Sequence, residues 1–203
     1  MHLVRTRICS STSLLFTLPG TPVIRYGDEL SMGDDLTLPE RDCARTAMQW
    51  SDEPHGGFTK HDKPVCPVIS SGPCGFEHIN AAIQRRYPDS LLNWTERIIR
   101  MRKEVPEVGW GDFAVIPMRN PAILVMRCAW RNNSVIFVHN FDAEPHEFSF
   151  DPRVEGEHAT YWSCSVPTTA DNDAKHRLVI EGYGYRWYRI GGLDYLLRRS
   201  DTG

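Results

Sequence analysis

No C-x-x-C pair occurs anywhere in the sequence. The short ligand spacing of a zinc knuckle and the dithiol of a thioredoxin-type centre are therefore both missing. Six cysteines (Cys9, Cys43, Cys66, Cys74, Cys128 and Cys164) are scattered through 203 residues. That is too sparse for a disulfide-stapled secreted domain and points to reduced thiols in a cytoplasmic protein. Charge of neither sign dominates: 23 Lys and Arg stand against 26 Asp and Glu. A broadly basic nucleic-acid-binding surface is thus excluded. No apolar run approaches the roughly 20 residues that span a bilayer. Arg5 and Arg7 precede Leu14–Leu18 much as a signal peptide's charged region precedes its apolar one. The run is short, Ser10 to Ser13 interrupt it, and no A-x-A-like site follows. What remains is 41% hydrophobic residues, ample for a buried core.

The pattern along the chain changes twice. Residues 1–20 read as a weak helix ended by Pro19-Gly20. Pro22–Tyr26 follows as a short apolar strand of the kind buried in a parallel α/β layer. From Gly27 to Pro88 periodicity is lost, yet Met32, Met48, Trp50, Phe58, Ile69 and Phe76 give the stretch apolar residues to pack. It reads as a long ordered excursion, with helical turns at Ile79–Arg86. An N-cap at Asp89 or Ser90 then opens an amphipathic helix, with Leu91, Trp94, Ile98, Met101 and Val105 on one face. Arginines crowd its second half, where the helix dipole favours them, and Pro106 closes it. After Gly111 the period becomes 2, which predicts strands at Asp112–Ile116, Ile123–Trp130, Val135–Phe141, His146–Phe150, Thr160–Ser165, Arg177–Ile180 and Tyr185–Ile190. Such strands predict an antiparallel β-sandwich. The fold class is α/β plus all-β, with a domain boundary near 110.

Two segments carry chemistry. Gly20-Thr-Pro-Val-Ile-Arg-Tyr-Gly-Asp-Glu29 sets acids just past a predicted strand end, where α/β enzymes place functional groups. Capping of the next segment explains those acids equally well. Leu38–Asp52 mixes Arg41, Asp42, Arg45, Gln49 and Trp50 in one loop. Planar polar groups beside an aromatic face suit a sugar, whose hydroxyls and C–H face need different partners. His55, His61 and His78 share the excursion with Cys66 and Cys74, but their wide spacing argues against a metal site.

Together these segments resemble the trehalose synthase (maltose α-D-glucosyltransferase) family of the α-amylase superfamily. G-T-P-V-I-R-Y-G-D-E is similar to the segment around that family's eighth barrel strand. R-D-C-A-R-T-A-M-Q-W-S-D-E-P-H-G-G-F resembles its substrate loop, with Ala47 in place of the usual proline. Asp89–Arg102 resembles the last barrel helix, and Ser134–Phe141 with Gly184–Arg189 resemble strands of the C-terminal β-domain.

The resemblance implies residues 1–110 as the end of a (β/α)8 barrel, a terminal βα unit with a long loop. Residues 111–203 would be a β-sandwich domain. A whole barrel takes about 250 residues, so most of one does not fit before Asp112. The resemblance further implies maltose, trehalose or related α-glucosides as ligands and no phosphate, nucleotide or redox cofactor. It places Arg45 in the glucose pocket, with Arg41 and Asp42 near the second sugar. Gln49 and Trp50 would support the loop, and Tyr26 and Glu29 would shape the strand end. No segment matches the family's three catalytic carboxylates. Val138–Asp142 is only superficially similar to its N-H-D motif. The chain alone is therefore expected to be inactive, with the missing N-terminal barrel segment as its partner. Two alternatives remain: a non-catalytic carbohydrate-binding or interaction module using Tyr161, Trp162, Tyr183, Tyr185, Trp187 and Tyr188, or part of an α-glucosidase or sucrose isomerase relative. A lone barrel strand exposes both edges, so residues 1–88 are expected to be poorly protected and 89–190 stable.

Overall fold

The computed structural model describes residues 2–131, 133–150, 169–170 and 176–190. The predicted strand Thr160–Ser165, with Tyr161, Trp162 and Cys164, lies outside them. Two compact units emerge: residues 23–100, and residues 1–22 together with 101–203. The sequence boundary near 110 differs from this division in where the N-terminal segment and residues 101–110 fall.

In the second of these units, helix α1 (His2–Thr17) packs against the β-domain. Its inward face is Cys9, Ser10, Ser13, Phe16 and Thr17, all buried. Hydroxyls dominate that face, so the helix reads as weak in the sequence. The Ser13 Oγ accepts from Trp187 Nε1 at 3.0 Å and lies 3.3 Å from His139 Nε2. Arg102 closes the far end, donating to the Phe16, Leu18 and Gly20 carbonyls. A cation there satisfies carbonyls that the helix itself leaves unpaired.

Helix α2 (Ala81–Arg86) belongs to the other unit, helix α3 (Leu91–Lys103) follows it, and α4 (Pro106–Trp110) belongs to the β-containing unit. Pro106 starts α4 at a position that tolerates a missing N–H, rather than merely ending α3. Gly111 then turns tightly into the sheet: a Cβ there would sit 2.5 Å from the Glu107 and Ala129 carbonyl oxygens.

Strands β1 (Asp112–Ile116), β2 (Ile123–Trp130), β3 (Asn133–Asn140) and β7 (Tyr185–Ile190) form one antiparallel sheet, in the order β1-β2-β3-β7. Strands β4 (His146–Phe150), β5 (Thr169–Ala170) and β6 (His176–Ile180) form a second, in the order β4-β6-β5. Ile123, Val125, Ile136, Val138 and Tyr188 from the first sheet meet Phe148, Leu178 and Ile180 from the second in one core. That is the sandwich the period-2 pattern predicts. Seven of the eight β3 residues are buried. Its other face carries Phe137 and His139, and Trp187 of β7 meets the Phe137 ring edge-on at 5.0 Å. Also inside this unit, Arg189 and Glu107 form a buried ion pair at 3.2 Å. Burial raises the Glu107 pKa, and the Arg189 charge opposes that rise.

In the unit of residues 23–100, the predicted strand Pro22–Tyr26 has no strand partner among the described residues. A parallel strand needs flanking strands to receive its N–H and C=O groups, and its own sequence cannot supply them. Val23 is 79% exposed accordingly. The long excursion is ordered, as expected. Leu30, Met48 and Ala81 make a small core, and backbone bonds Ala47 N to Pro67 O (3.0 Å) and Phe76 N to Ile69 O (2.9 Å) tie it across. Helix α2 is N-capped by Asn80, whose side chain accepts from the Ile83 N–H at 2.8 Å.

Candidate functional site

Within residues 23–100 a cleft of about 710 Å³ opens between the turn at Tyr26 and the loop Ala44–Ala47. Arg25, Tyr26, Arg45, Phe58, His61 and Lys63 are among its lining residues. Arg45 follows a short 3-10 turn, Glu40–Ala44, whose Asp42 carbonyl accepts the Arg45 N–H at 3.0 Å. Its guanidinium is exposed, with Asp42 as a loose partner at 3.9 Å. Tyr26 is fixed from the opposite side: its hydroxyl accepts the Met48 N–H at 2.8 Å. One hydrogen bond thus holds the aromatic ring beside the Arg45 loop.

The remaining candidates are placed differently. Gln49 is fully buried, and its amide donates to the Cys74 and Ile79 carbonyls at 2.9 and 2.6 Å. No free donor of that amide remains for a ligand. Trp50 is 44% exposed but does not line the cleft. Its N–H donates to Gly56 O at 2.7 Å, and its carbonyl receives the Ala82 N–H at 2.9 Å. Arg41 and Asp42 are exposed on the 3-10 turn, outside the lining. Glu29 folds back on its own turn, accepting the Gly27 N–H at 2.9 Å. Gly27 has φ 94, a conformation open to glycine, and a Cβ there would meet Met32 Sδ at 2.7 Å. Capping, the bland explanation for these acids, therefore describes Glu29 well.

Glu29 also lines a second cleft, of about 500 Å³, together with Glu96. Glu96 is engaged by Arg100 one helical turn away. Both carboxylates are already spoken for, so this cleft does not offer a free nucleophile and acid pair.

His139, within the N-H-D-like segment, is buried without solvent access, which rules it out as a general base. Desolvation depresses its pKa to about 4. Trp187 and Tyr188 are buried as well, Tyr188 in the sandwich core and Trp187 on the sheet's other face against Phe137 and Ser13, and neither presents a sugar platform. The Cys128 thiol is pushed up to about 11 by burial. The five described cysteines are all free thiols. Among the described residues, no three His, Cys, Asp or Glu side chains gather to hold a metal ion, and no helix is long and apolar enough to cross a membrane.

Arg25, Phe58, His61 and Lys63 were not legible as cleft residues. The only local signal is the H-D-K-P-V-C run after Phe58, which looks like a solvated loop until the fold turns it inward.

The alpha amylase catalytic-domain family model matches residues 3–111, more than half of the chain, and a sucrose hydrolase-like C-terminal domain model matches 133–189. The chain belongs to the α-amylase family. Within that family it is similar to trehalose synthases. It shares 33% identity over 190 residues with that of Pimelobacter sp. (strain R48), covering 90% of this chain and 33% of the relative. With that of Thermus thermophilus it shares 33% over 189 residues, covering 92% of this chain and 20% of the relative. The chain thus spans a third or less of the length of these two relatives. The crystal structure of Bacillus licheniformis trehalose-6-phosphate hydrolase superimposes with a TM-score of 0.72 at 21% identity, over 92% of this chain and 39% of the other. That likeness supports a partial barrel joined to an antiparallel β-domain.

Proposed function

We propose that this chain forms one wall of a disaccharide pocket in an enzyme that interconverts maltose and trehalose. Residues 1–110 are read as the C-terminal end of the barrel and 111–203 as the β-domain. In this reading the α-glucosyl group is transferred with retention, through two successive displacements. The nucleophile and the acid/base belong to a barrel segment outside these 203 residues, and the enzyme works in the cytoplasm.

One observation carries the proposal: Arg45 and Tyr26, from segments 19 residues apart, line a single cleft. The guanidinium has donors in a fixed fork for vicinal hydroxyls, and the ring offers a face to the sugar's C–H side. Gln49 and Trp50 hold the loop by their amide and backbone groups. Arg41 and Asp42 stay near its outer edge, and Glu29 stabilises the turn beside Tyr26.

Calorimetry of the purified chain with maltose and trehalose tests the wall. Arg45→Ala should abolish whatever binding is seen, while leaving the far-ultraviolet circular dichroism unchanged. Incubated with maltose, the chain alone should produce neither trehalose nor glucose above a blank. Turnover would overturn the assignment of the reactive acids elsewhere, and binding indifferent to Arg45→Ala would overturn the pocket.

A further inference from the structure

His55, Gly56 and Gly57 follow one another with φ of 56, 63 and 68. Glycine adopts that left-handed conformation freely, whereas histidine does so at a cost, and such strain persists only where the surroundings hold it. Here they do. The Gly56 carbonyl accepts the N–H groups of both Trp50 and Ser51, at 2.7 and 3.0 Å. Gly56 also packs closely enough that a Cβ there would stand 3.1 Å from Val68 Cγ1. Phe58 returns to the right-handed region, with φ −74 and ψ −40, and its N–H donates to His55 O at 3.1 Å. Beyond the segment 58–66, Pro67 O accepts the Ala47 N–H at 3.0 Å. Both ends of that segment are thus tied to residues 47–51, which continue directly from the Arg45 loop.

The same strip holds Tyr26, whose hydroxyl accepts the Met48 N–H at 2.8 Å. Tyr26 and Phe58 are therefore positioned by one stretch of backbone, and both line the cleft. They are 51% and 47% exposed, so neither ring is used up by packing. A disaccharide has two pyranose rings, each with a C–H face, and two open aromatic rings in one cleft are their complement. Thr46 and Thr59 line the cleft as well. Their hydroxyls both donate and accept, as the hydroxyls of a neutral sugar require.

We infer that Phe58 is a specificity-determining residue of this cleft: its ring takes the second glucose of a disaccharide, while Tyr26 and Arg45 hold the first. The left-handed turn His55–Gly57 is the device that presents it. The inference rests on the reading of the cleft as a disaccharide pocket and adds the residue that tells two sugars from one.

Calorimetry of the whole chain with maltose and with glucose provides the test. The parent should prefer maltose by about 10-fold, the contribution of one stacked ring face. Phe58→Leu keeps an apolar side chain but removes the flat face, and should collapse that preference by lowering the affinity for maltose. Phe58→Tyr should retain it. Circular dichroism should be the same for all three proteins. A loss shared equally by glucose and maltose in Phe58→Leu overturns the inference, because Phe58 then does not distinguish the rings. A loss in Phe58→Tyr as large as in Phe58→Leu also overturns it, since packing rather than an aromatic face would then be at stake. Maltose affinity unmoved by Phe58→Leu but abolished by Arg45→Ala overturns it and leaves the disaccharide pocket standing. A parent chain that binds neither sugar removes both readings.

Discussion

His139 shows how far one residue's environment can depart from its sequence appearance. It sits in a polar-looking H-N-F-D run, yet it is fully buried, with stacked contacts to Phe141 and Tyr185 at 6.3 Å. Folding lowers its pKa from an ordinary value near 6.5 to about 4. The unfolded chain therefore takes up a proton between those limits that the folded chain refuses. Stability is fully present above about pH 6.5 and is lost as pH falls toward 4, by about 3 kcal/mol from this group. Urea midpoints measured at both pH values should show a smaller acid loss in His139→Gln than in the parent. An equal loss in both would show that His139 does not carry the effect. At the same scale, Gln49 was legible as a polar residue in a sugar-like loop. The resemblance gives it a loop-supporting role, while its two carbonyl partners, 25 and 30 positions away, are contacts that no local pattern names.

Among the elements, legibility followed locality. Helix α3 and strands β1, β2, β4 and β7 could be read because period and turn chemistry are written within each segment. Pro22–Tyr26 could not, because strand pairing depends on neighbours that its own residues do not encode. Helix α1 was visible only as a weak helix, since its inward face of Ser10, Ser13 and Thr17 carries hydroxyls where a core stripe is expected. That face changes the expectation for the first 88 residues. Helix α1 should be protected from hydrogen exchange along with the β-domain, whereas residues 59–66, rich in exposed side chains, should exchange quickly. Arg102 serves three carbonyls at the end of α1, so Arg102→Ala should cost about 2 kcal/mol and raise exchange across residues 10–17. Arg102→Lys should recover only part, because an ammonium lacks the planar fork. Unchanged exchange in α1 would show that the cap does not anchor it.

For the molecule as a whole, the cleft was half legible. The R-T-A-M-Q-W loop and the strand-like turn pointed to Arg45 and Tyr26, and the fold brings both to one cleft. The opposite wall, from Phe58 to Cys66, came from an excursion without periodicity, and only long-range folding could reveal it.

Strand β3 has one further consequence, for dissection of the chain. Its second face is covered by a helix that lies more than 100 residues earlier in sequence. Cutting at Asp112 would strip that cover and bare Phe137 and Trp187 to water while leaving the sandwich core untouched. Such a shortened polypeptide, which also lacks α4 and leaves Arg189 without Glu107, should bind an apolar dye and elute as aggregates on gel filtration, whereas one that keeps residues 1–22 linked to residues 101–203 should stay monomeric.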